Sequence, residues 1–228
     1  MSIMNTSQIK KTNKEKRKLV SEPKLNVELN DEQKDFVRLF YEYDVNFLLG
    51  DFGSGKSLAA VHTALTSFRK RYFNKIWITR PILKNNLSTL PGDINDKMYP
   101  YIFPIIQNLE VCQGKEYTTK MRKSGEIEIM PIEVAKGVTF MDSVVIVDEF
   151  QDMNYQDFRT ILTRLGKGSK IIFCGSKEQI DKSIGDSSCY YDIIKLISSN
   201  LVGFTELKSN HRNPILTKII DYLEKNEI

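Results

Sequence analysis

One octapeptide constrains this chain more than any other feature of its sequence. It matches the phosphate-cradling motif G-x-x-x-x-G-K-[ST] at every fixed position. The matching residues are Gly50, Asp51, Phe52, Gly53, Ser54, Gly55, Lys56 and Ser57. The apolar run 45–49 predicts a buried strand before the motif, and an apolar stripe over 56–70 predicts a helix after it. Because this strand–loop–helix context distinguishes a nucleotide-binding loop from an ordinary glycine-rich turn, we expect these residues to hold a nucleoside triphosphate.

A second motif indicates what happens to that nucleotide. Residues 143–151 read SVVIVDEFQ, a β-branched strand that ends in two acids. In such a pairing the lysine of the loop, Lys56, reaches the β- and γ-phosphates, while Ser57 and Asp148 hold Mg²⁺. Glu149 is then placed to act as the base that orients the attacking water. A strand ending in a solvated acidic turn is the simpler alternative. The position of the acidic strand motif downstream of Lys56 makes this alternative less favoured, and the two motifs together favour hydrolysis of ATP.

The order of apolar segments predicts an α/β fold with a mostly parallel central sheet flanked by helices. At 228 residues and 41% hydrophobic content, the chain can bury one sizeable core. Strands are predicted at 45–49, 75–79, 126–130, 143–147, 170–174 and 202–207. Helices are predicted at 31–41, 56–70, 101–110, 155–165, 188–198 and 214–225. The Pro- and Tyr-containing stretch from 81 to 125 is too long for a simple connection, and we expect it to carry substrate contacts or an interface.

Several classes of protein are disfavoured by composition. No apolar run approaches the roughly 18 residues of a membrane span, and no apolar signal region stands at the start. Three cysteines and two histidines lack the spacing of metal ligands. We therefore expect a cytoplasmic protein with no membrane contact and no structural zinc.

The basic charge is concentrated in residues 1–24. This segment holds seven basic and two acidic residues, whereas the rest of the chain holds 26 basic and 27 acidic ones. Few apolar residues and no sustained period predict a disordered arm, followed by one ATPase domain over 25–228. Such an arm could bind nucleic acid electrostatically or could serve only as a solvated tail.

Several ordered motifs resemble those of the PhoH-like ATPases, relatives of the motor core of superfamily-one helicases. They are T-R-P at 79–81, L-P-G-D at 90–93, D-E-F-Q-D at 148–152, L-T-R-L-G at 162–166 with S-K at 169–170, and G-S-K-E-Q-I-D at 175–181. The resemblance implies a RecA-like P-loop NTPase that acts on RNA or single-stranded DNA. The short length resembles phage-encoded members, which would place the protein in a host cytoplasm.

The sequence also departs from the family pattern. Ser176 stands where the family has an aspartate, and K-G-V-T at 136–139 replaces its arginine-rich R-G-R-T. The segment S-N-H-R-N-P at 209–214 is closer to a helicase motif than to the family's V-R-H-P. These departures concern substrate contacts more than the chemistry of ATP.

Roles for further polar residues follow from the resemblance. Gln33 corresponds to the glutamine that reads adenine, although a polar residue in a first helical turn is the alternative. Gln179 corresponds to the γ-phosphate sensor, or is a surface residue after a strand. Arg212 and Arg164 are candidate arginine fingers, and Arg212 is the preferred candidate of the two. Either residue could instead form a structural salt bridge. Arg80 is equally consistent with a contact to the nucleic-acid backbone and with a capping contact.

The resemblance also implies an assembly. Related helicases close the ATP site between two RecA-like lobes, and this chain can build only one. A hexameric ring would supply the finger from a neighbouring subunit. Three functions remain open from the sequence: an ATPase acting on RNA or single-stranded DNA, a nucleotide-gated interaction protein, and a P-loop kinase.

Overall fold

The computed structural model describes residues 25–81, 94–209 and five positions between 215 and 225. The basic arm, the L-P-G-D segment and most of the predicted helix 214–225 lie outside these residues. The helices are α1 Asp31–Glu42, α2 Lys56–Arg69, α3 Ile94–Gln113, α4 Lys115–Lys123, α5 Ile132–Ala135, α6 Tyr155–Leu162 and α7 Tyr190–Ile197. The strands are β1 Val45–Gly50, β2 Lys75–Arg80, β3 Ile127–Pro131, β4 Ser143–Asp148, β5 Lys170–Gly175 and β6 Gly203–Leu207. In the described part of the chain, no helix is long and apolar enough to cross a membrane.

The six strands form one sheet in the order β3-β2-β4-β5-β1-β6, and every pair is parallel. All six predicted strands are confirmed, and so is the α/β class. Because the strands are parallel, their carboxyl ends meet at one edge of the sheet, called here the carboxyl edge. The loops after β1, β2, β4 and β5 therefore converge there, and the opposite side is called the amino edge.

Alternating side chains build two hydrophobic layers. In β4, Val144 and Ile146 pack against the face covered by α1 to α4, whereas Val145 and Val147 pack against the face covered by α5 to α7. Both faces of β4 are buried, which is why its sequence is apolar from Val144 to Val147. A ring cluster on the second face anchors Phe150, whose ring lies 5.7 Å from that of Phe47. Burying a phenylalanine stabilises the fold by about 1.5–3 kcal/mol, so this ring fixes the turn that follows β4.

The predicted helices agree with the structure less closely than the strands do. Helices α1, α2, α6 and α7 are confirmed with ends shifted by up to three residues. The prediction of a helix at 101–110 began too late because Pro100 resembles a helix breaker, although Pro104 was accepted inside the helix. Buried Ile105 and Leu109 on the same helix offset that cost by packing in the core. Helices α4 and α5 were not predicted.

Candidate nucleotide-binding site

The phosphate-binding motif forms a tight loop between β1 and α2. Gly50 has a φ of 152°, and a Cβ there would lie 2.6 Å from the carbonyl oxygen of Leu207 and 2.7 Å from Oγ of Ser54. Gly55 caps α2 in the left-handed region with a φ of 82°. Oγ of Ser54 donates to the carbonyl of Asp51 at 2.9 Å, which closes the curl. The glycines are therefore required by the close approach of β6 and by the turn into the helix.

Lys56 is folded onto its own loop. Its Nζ donates to the carbonyls of Gly50 at 2.5 Å and Asp51 at 3.0 Å, and to Oε1 of Gln179 at 3.2 Å. Burial lowers the pKa of Lys56, and the nearby carboxylates of Glu149 and others oppose that shift. The ammonium thus points at the space enclosed by the loop, beside the residue predicted to sense the γ-phosphate.

Ser57 and Asp148 meet across the gap between α2 and β4. Oγ of Ser57 donates to Oδ1 of Asp148 at 2.7 Å, and Asp148 is only 4% exposed. Burial, followed by the neighbouring carboxylate of Glu149, raises the pKa of Asp148 to about 6. Arg80, Ser57 and Lys56 act in the opposite direction. A buried carboxylate beside a hydroxyl is a donor set of hard oxygens, which fits Mg²⁺.

Glu149 follows β4 in an uncommon backbone conformation. Its φ of 54° and ψ of 43° are left-handed, which costs a non-glycine residue roughly 1–2 kcal/mol. Its Oε2 accepts from Nε2 of Gln151 at 2.8 Å, and its Oε1 lies 3.8 Å from NH2 of Arg80. The conformation re-aims the carboxylate at the carboxyl edge, where the buried ring of Phe150 holds the turn in place.

Gln151 connects Glu149 to the loop after β5, which carries Gln179. It is 1% exposed, and its Nε2 donates both to Glu149 and to the carbonyl of Gln179 at 3.3 Å. Its Oε1 accepts from the backbone N–H of Ser176 at 3.3 Å. A Cβ on Gly175 would lie 2.5 Å from that Oε1, so the glycine leaves room for the amide. The network forms because β5 lies between β1 and β4, which places the loop after β5 between Lys56 and Glu149.

Gln151 was not predicted as a site residue, and Arg80 was assigned to a different contact. The sequence did contain a signal for Gln151, which is a polar residue that follows two acids and the apolar Phe150. A polar residue in that position is buried beside the end of the strand. Arg80 ends β2 and donates from NH1 to the carbonyl of Tyr101 at 3.4 Å, in addition to facing Glu149. A one-dimensional pattern does not show that β2 and β4 are neighbours, so the pairing with Glu149 was not visible in the sequence.

Gln33 lies at the carboxyl edge but is part of a helix cap. Its Oε1 accepts from the backbone N–H of Asn30 at 3.1 Å, while its own N–H donates to Oδ1 of Asn30 at 2.8 Å. Oε2 of Glu32 accepts from the N–H groups of Lys208 and Ser209, which ties this end of α1 to the end of β6 beside the loop. The capping contact is the alternative role considered for this residue. Recognition of adenine stays a prediction.

Arg164 lies far from its own nucleotide loop. Its carbonyl accepts from the N–H of Phe140, which precedes β4, so Arg164 lies at the amino edge. A six-residue strand separates the two edges by about 20 Å. Arg164 therefore does not face the nucleotide loop of its own subunit, and its finger role stays a prediction, toward a neighbouring subunit. Arg212 lies outside the described residues.

The S-K motif makes structural contacts in this fold. Ser169 donates from Oγ to the carbonyl of Phe140 at 2.9 Å and accepts from the N–H of Ser143 at 3.0 Å. Nζ of Lys170 donates to the carbonyl of Tyr43 at 2.6 Å and to Oδ1 of Asp44 at 3.0 Å, just after α1 ends. These contacts join the amino ends of the central strands to α1, on the side opposite the nucleotide loop.

The fold and the site together define a P-loop NTPase with a RecA-like α/β fold. The family described as PhoH-like protein matches residues 27–224, and the chain belongs to that family. A PhoH-like protein of Bacillus subtilis is 32% identical over 199 residues, covering 85% of this chain and 62% of that protein. Protein PhoH of Escherichia coli is 29% identical over 170 residues, covering 73% of this chain and 48% of that protein. The chain therefore spans less than two thirds of the length of these relatives.

A solved structure of a large terminase has a similar fold. The large terminase of a thermophilic bacteriophage matches with a TM-score of 0.52 at 8% identity, over 79% of this chain and 46% of that chain. The UvsW helicase of bacteriophage T4 matches with a TM-score of 0.49 at 14% identity, over 80% of this chain and 61% of that chain. At such identities the likeness of the terminase concerns the fold alone.

Proposed function

We propose that this protein binds ATP with Mg²⁺, hydrolyses it, and couples the hydrolysis to RNA or single-stranded DNA. The observation that carries the proposal is the contact network that joins Lys56, Gln179 and Glu149. A phosphate-binding lysine, a sensor glutamine and a general base must respond to one γ-phosphate, and here one buried amide connects them.

Phosphate binding is supported by the loop and by Lys56. The curl points backbone N–H groups into its centre, and the start of α2 adds the positive end of a helix dipole. The neutral carbonyls that now accept from Nζ are weaker acceptors than phosphate oxygens, so a triphosphate would displace them.

Ser57 and Asp148 would hold the metal. Mg²⁺ at this pair would neutralise charge on the β- and γ-phosphate oxygens. Glu149, held from both sides by Gln151 and Arg80, would accept the proton of the attacking water. Gln179 would report the γ-phosphate to the loop after β5.

Completion of the site by a second subunit is part of the proposal. Taken by itself, the lobe formed by residues 25–209 would leave the γ-phosphate side of the site open to water, which would weaken electrostatic stabilisation of the transition state. Arg212 of a neighbouring subunit in a hexameric ring would close that side. The basic arm and Arg80 would both serve contacts with the nucleic-acid backbone.

The test is steady-state ATP hydrolysis with Mg²⁺ or excess EDTA, with and without single-stranded RNA or DNA. We expect turnover that needs Mg²⁺ and rises with nucleic acid. Lys56→Ala should abolish it, and Glu149→Gln should lower it by ~10²-fold or more while ATP still binds. Lys70→Ala and Glu133→Gln, at exposed ends of α2 and α5, are the matched controls and should retain parental rates.

Three outcomes would contradict parts of this proposal. Parental turnover in Glu149→Gln would place the base elsewhere. ATP binding without hydrolysis, combined with a change in assembly, would indicate a nucleotide-gated interaction protein. Transfer of phosphate to a small molecule would indicate a kinase.

A further inference from the structure

Two aromatic side chains stand exposed and side by side on α3. Tyr99 and Phe103 are 52% and 40% exposed, and their ring centroids are 5.6 Å apart at an interplanar angle of 44°. They are four residues apart and so share one face of the helix. On the buried side, Ile102 and Ile106 pack with Ile129 of β3. The ring pair is therefore an extra apolar surface that the core does not use.

This surface lies at the carboxyl edge, next to the catalytic base. The contact of Arg80 with α3 shows this position. NH1 of Arg80 donates to the carbonyl of Tyr101 at 3.4 Å, and Tyr101 stands between Tyr99 and Phe103 in the sequence. NH2 of the same guanidinium lies 3.8 Å from Oε1 of Glu149. Arg80 thus stands between the ring pair and Glu149, and a guanidinium has five N–H donors.

Besides Tyr222 near the C-terminus, five exposed aromatic residues lie in residues 25–81 and 99–209. They are Phe52, Tyr99, Phe103, Tyr155 and Tyr191, and each follows the carboxyl end of a strand. The exposed apolar residues near the amino edge are the aliphatic Val111, Met141 and Leu201.

The combination of rings with a planar cation selects one class of partner. Aromatic rings stack on any nucleobase, and an arginine fork takes two oxygens of a phosphate. Bases in a duplex are already stacked, so only an unpaired strand offers its faces. We propose that Tyr99 and Phe103 form a stacking platform for the bases of a single-stranded nucleic acid, and that Arg80 links an occupied platform to Glu149. The inference rests on the proposed ATPase function and names the surface that couples it to nucleic acid.

The link follows from the contacts of Glu149. Oε2 is held by Gln151, and Oε1 faces Arg80. A base needs an oxygen available to accept the proton of water, and Oε1 is the oxygen that stands beside the guanidinium of Arg80. A backbone phosphate on the platform competes for Arg80, which frees Oε1. Arg80 is thus a positioning residue that restrains the base until a strand is bound.

The first experiment measures binding by fluorescence anisotropy. The probes are fluorescein-labelled oligouridylate and oligodeoxythymidylate of about 15 nucleotides, long enough for a typical single-strand site. Tyr99→Ala with Phe103→Ala should raise the Kd about tenfold or more, because stacking on each ring is removed. Tyr99→Phe keeps the ring and should bind like the parent. Val111→Ala, an equally exposed position on the same helix, is the control, and thermal melting confirms that each variant is folded.

Parental affinity in the folded double-alanine variant would overturn the platform. Loss of binding in Tyr99→Phe would mean that the hydroxyl is used and the ring does not stack. If the parent hydrolyses ATP but binds neither oligonucleotide, both the platform and the nucleic-acid part of the proposed function fail, while the ATPase stands.

The second experiment measures ATP turnover of Arg80 variants. Arg80→Ala should hydrolyse ATP several-fold faster than the parent without nucleic acid, and should no longer be stimulated by oligouridylate. Arg80→Lys keeps the positive charge but cannot bind two phosphate oxygens at once. Its basal turnover and its stimulation by oligouridylate should therefore lie between those of the parent and of Arg80→Ala. A merely structural role would lower turnover in both conditions. Slower basal turnover with intact stimulation in Arg80→Ala would contradict the proposal that Arg80 restrains Glu149.

Discussion

The amide of Gln151 donates a 2.8 Å hydrogen bond to the carboxylate of Glu149, two residues before it in the chain. The left-handed backbone of Glu149 and the buried ring of Phe150 turn the chain so that both side chains face the same space. The same amide donates to the backbone carbonyl of Gln179. The side-chain oxygen Oε1 of Gln179 in turn accepts from Nζ of Lys56. Movement of the loop after β5 would therefore be transmitted directly to the base.

Replacing Gln151 should separate catalysis from binding. In Gln151→Leu the carboxylate of Glu149 loses its fixed donor and the N–H of Ser176 loses its acceptor. We expect kcat to fall by ~10- to 100-fold, a loss of about 1–3 kcal/mol in transition-state stabilisation, with KM changed by less than about threefold. Steady-state kinetics and direct measurement of ATP binding give the two quantities.

Gln156→Leu is the control for this variant because it makes the same replacement at an exposed position on α6. A higher KM and a lower kcat, together with a lower melting temperature, would assign Gln151 a purely structural role. Unchanged kcat in a folded variant that binds ATP would exclude the amide from positioning the base.

The sequence was sufficient for the parts of the site that lie within one motif. Lys56 and Ser57 are adjacent in the chain, and a strand tip delivers Asp148 and Glu149 together, so local order determined their placement. The central strands β1, β4 and β5 were predictable for a related reason: they are buried on both faces and read as apolar runs, whereas the outer β3 and β6 are only partly buried. Gln179 was placed only by its resemblance to a family motif.

Contacts between distant strands could not be derived in this way. The pairing of Arg80 with Glu149 depends on β2 and β4 being neighbours. Arg164 was a reasonable finger by motif, but the bridge between Phe140 and Leu165 holds its segment at the amino edge. Helix α3 exceeded its prediction because packing of its buried face outweighed the effect of two prolines.

Lys170 should matter for stability and leave the chemistry intact. Its Nζ, on a side chain that is 12% exposed, binds carbonyls at the end of α1 and Oδ1 of Asp44. Lys170→Met should lower the free energy of unfolding by about 1–3 kcal/mol, because charge-assisted bonds from a largely buried ammonium are removed. Denaturant unfolding measures this, and kcat per folded molecule should match the parent. Lys167→Met, exposed in the same segment, is the control, and a lower kcat at parental stability would give this edge a role in turnover.

Deletion of residues 1–24 should weaken nucleic-acid binding without changing the fold. The deletion removes a net charge of +5 and none of the phosphate-binding or acidic motifs. The slope of log K against log salt should become shallower by about 0.7 for each phosphate of a single strand that the arm no longer neutralises. Titrations at several salt concentrations measure the slope, and deletion of residues 1–9, which carry no charged side chain, is the control. An identical slope in both deletions would make the arm a solvated tail.

The last prediction concerns the finger. If Arg212 of one subunit completes the site of its neighbour, Arg212→Ala keeps an intact pocket and Lys56→Ala keeps an intact finger. Co-expressing the two variants should then produce rings in which about a quarter of the interfaces combine both intact parts, for random mixing around a closed symmetric assembly. Turnover should exceed the sum of the two pure variants, and sedimentation with ATP should show an oligomer.

A mixture of Lys56→Ala with Glu149→Gln is the matched control, because every pocket in that ring carries a defect and no interface can be rescued. Equal turnover in both mixtures would refute the trans arrangement. A monomer that hydrolyses ATP briskly with nucleotide and RNA present would also refute it. The finger would then have to act within one subunit, and Arg212 would be the candidate because Arg164 lies at the opposite edge of the sheet.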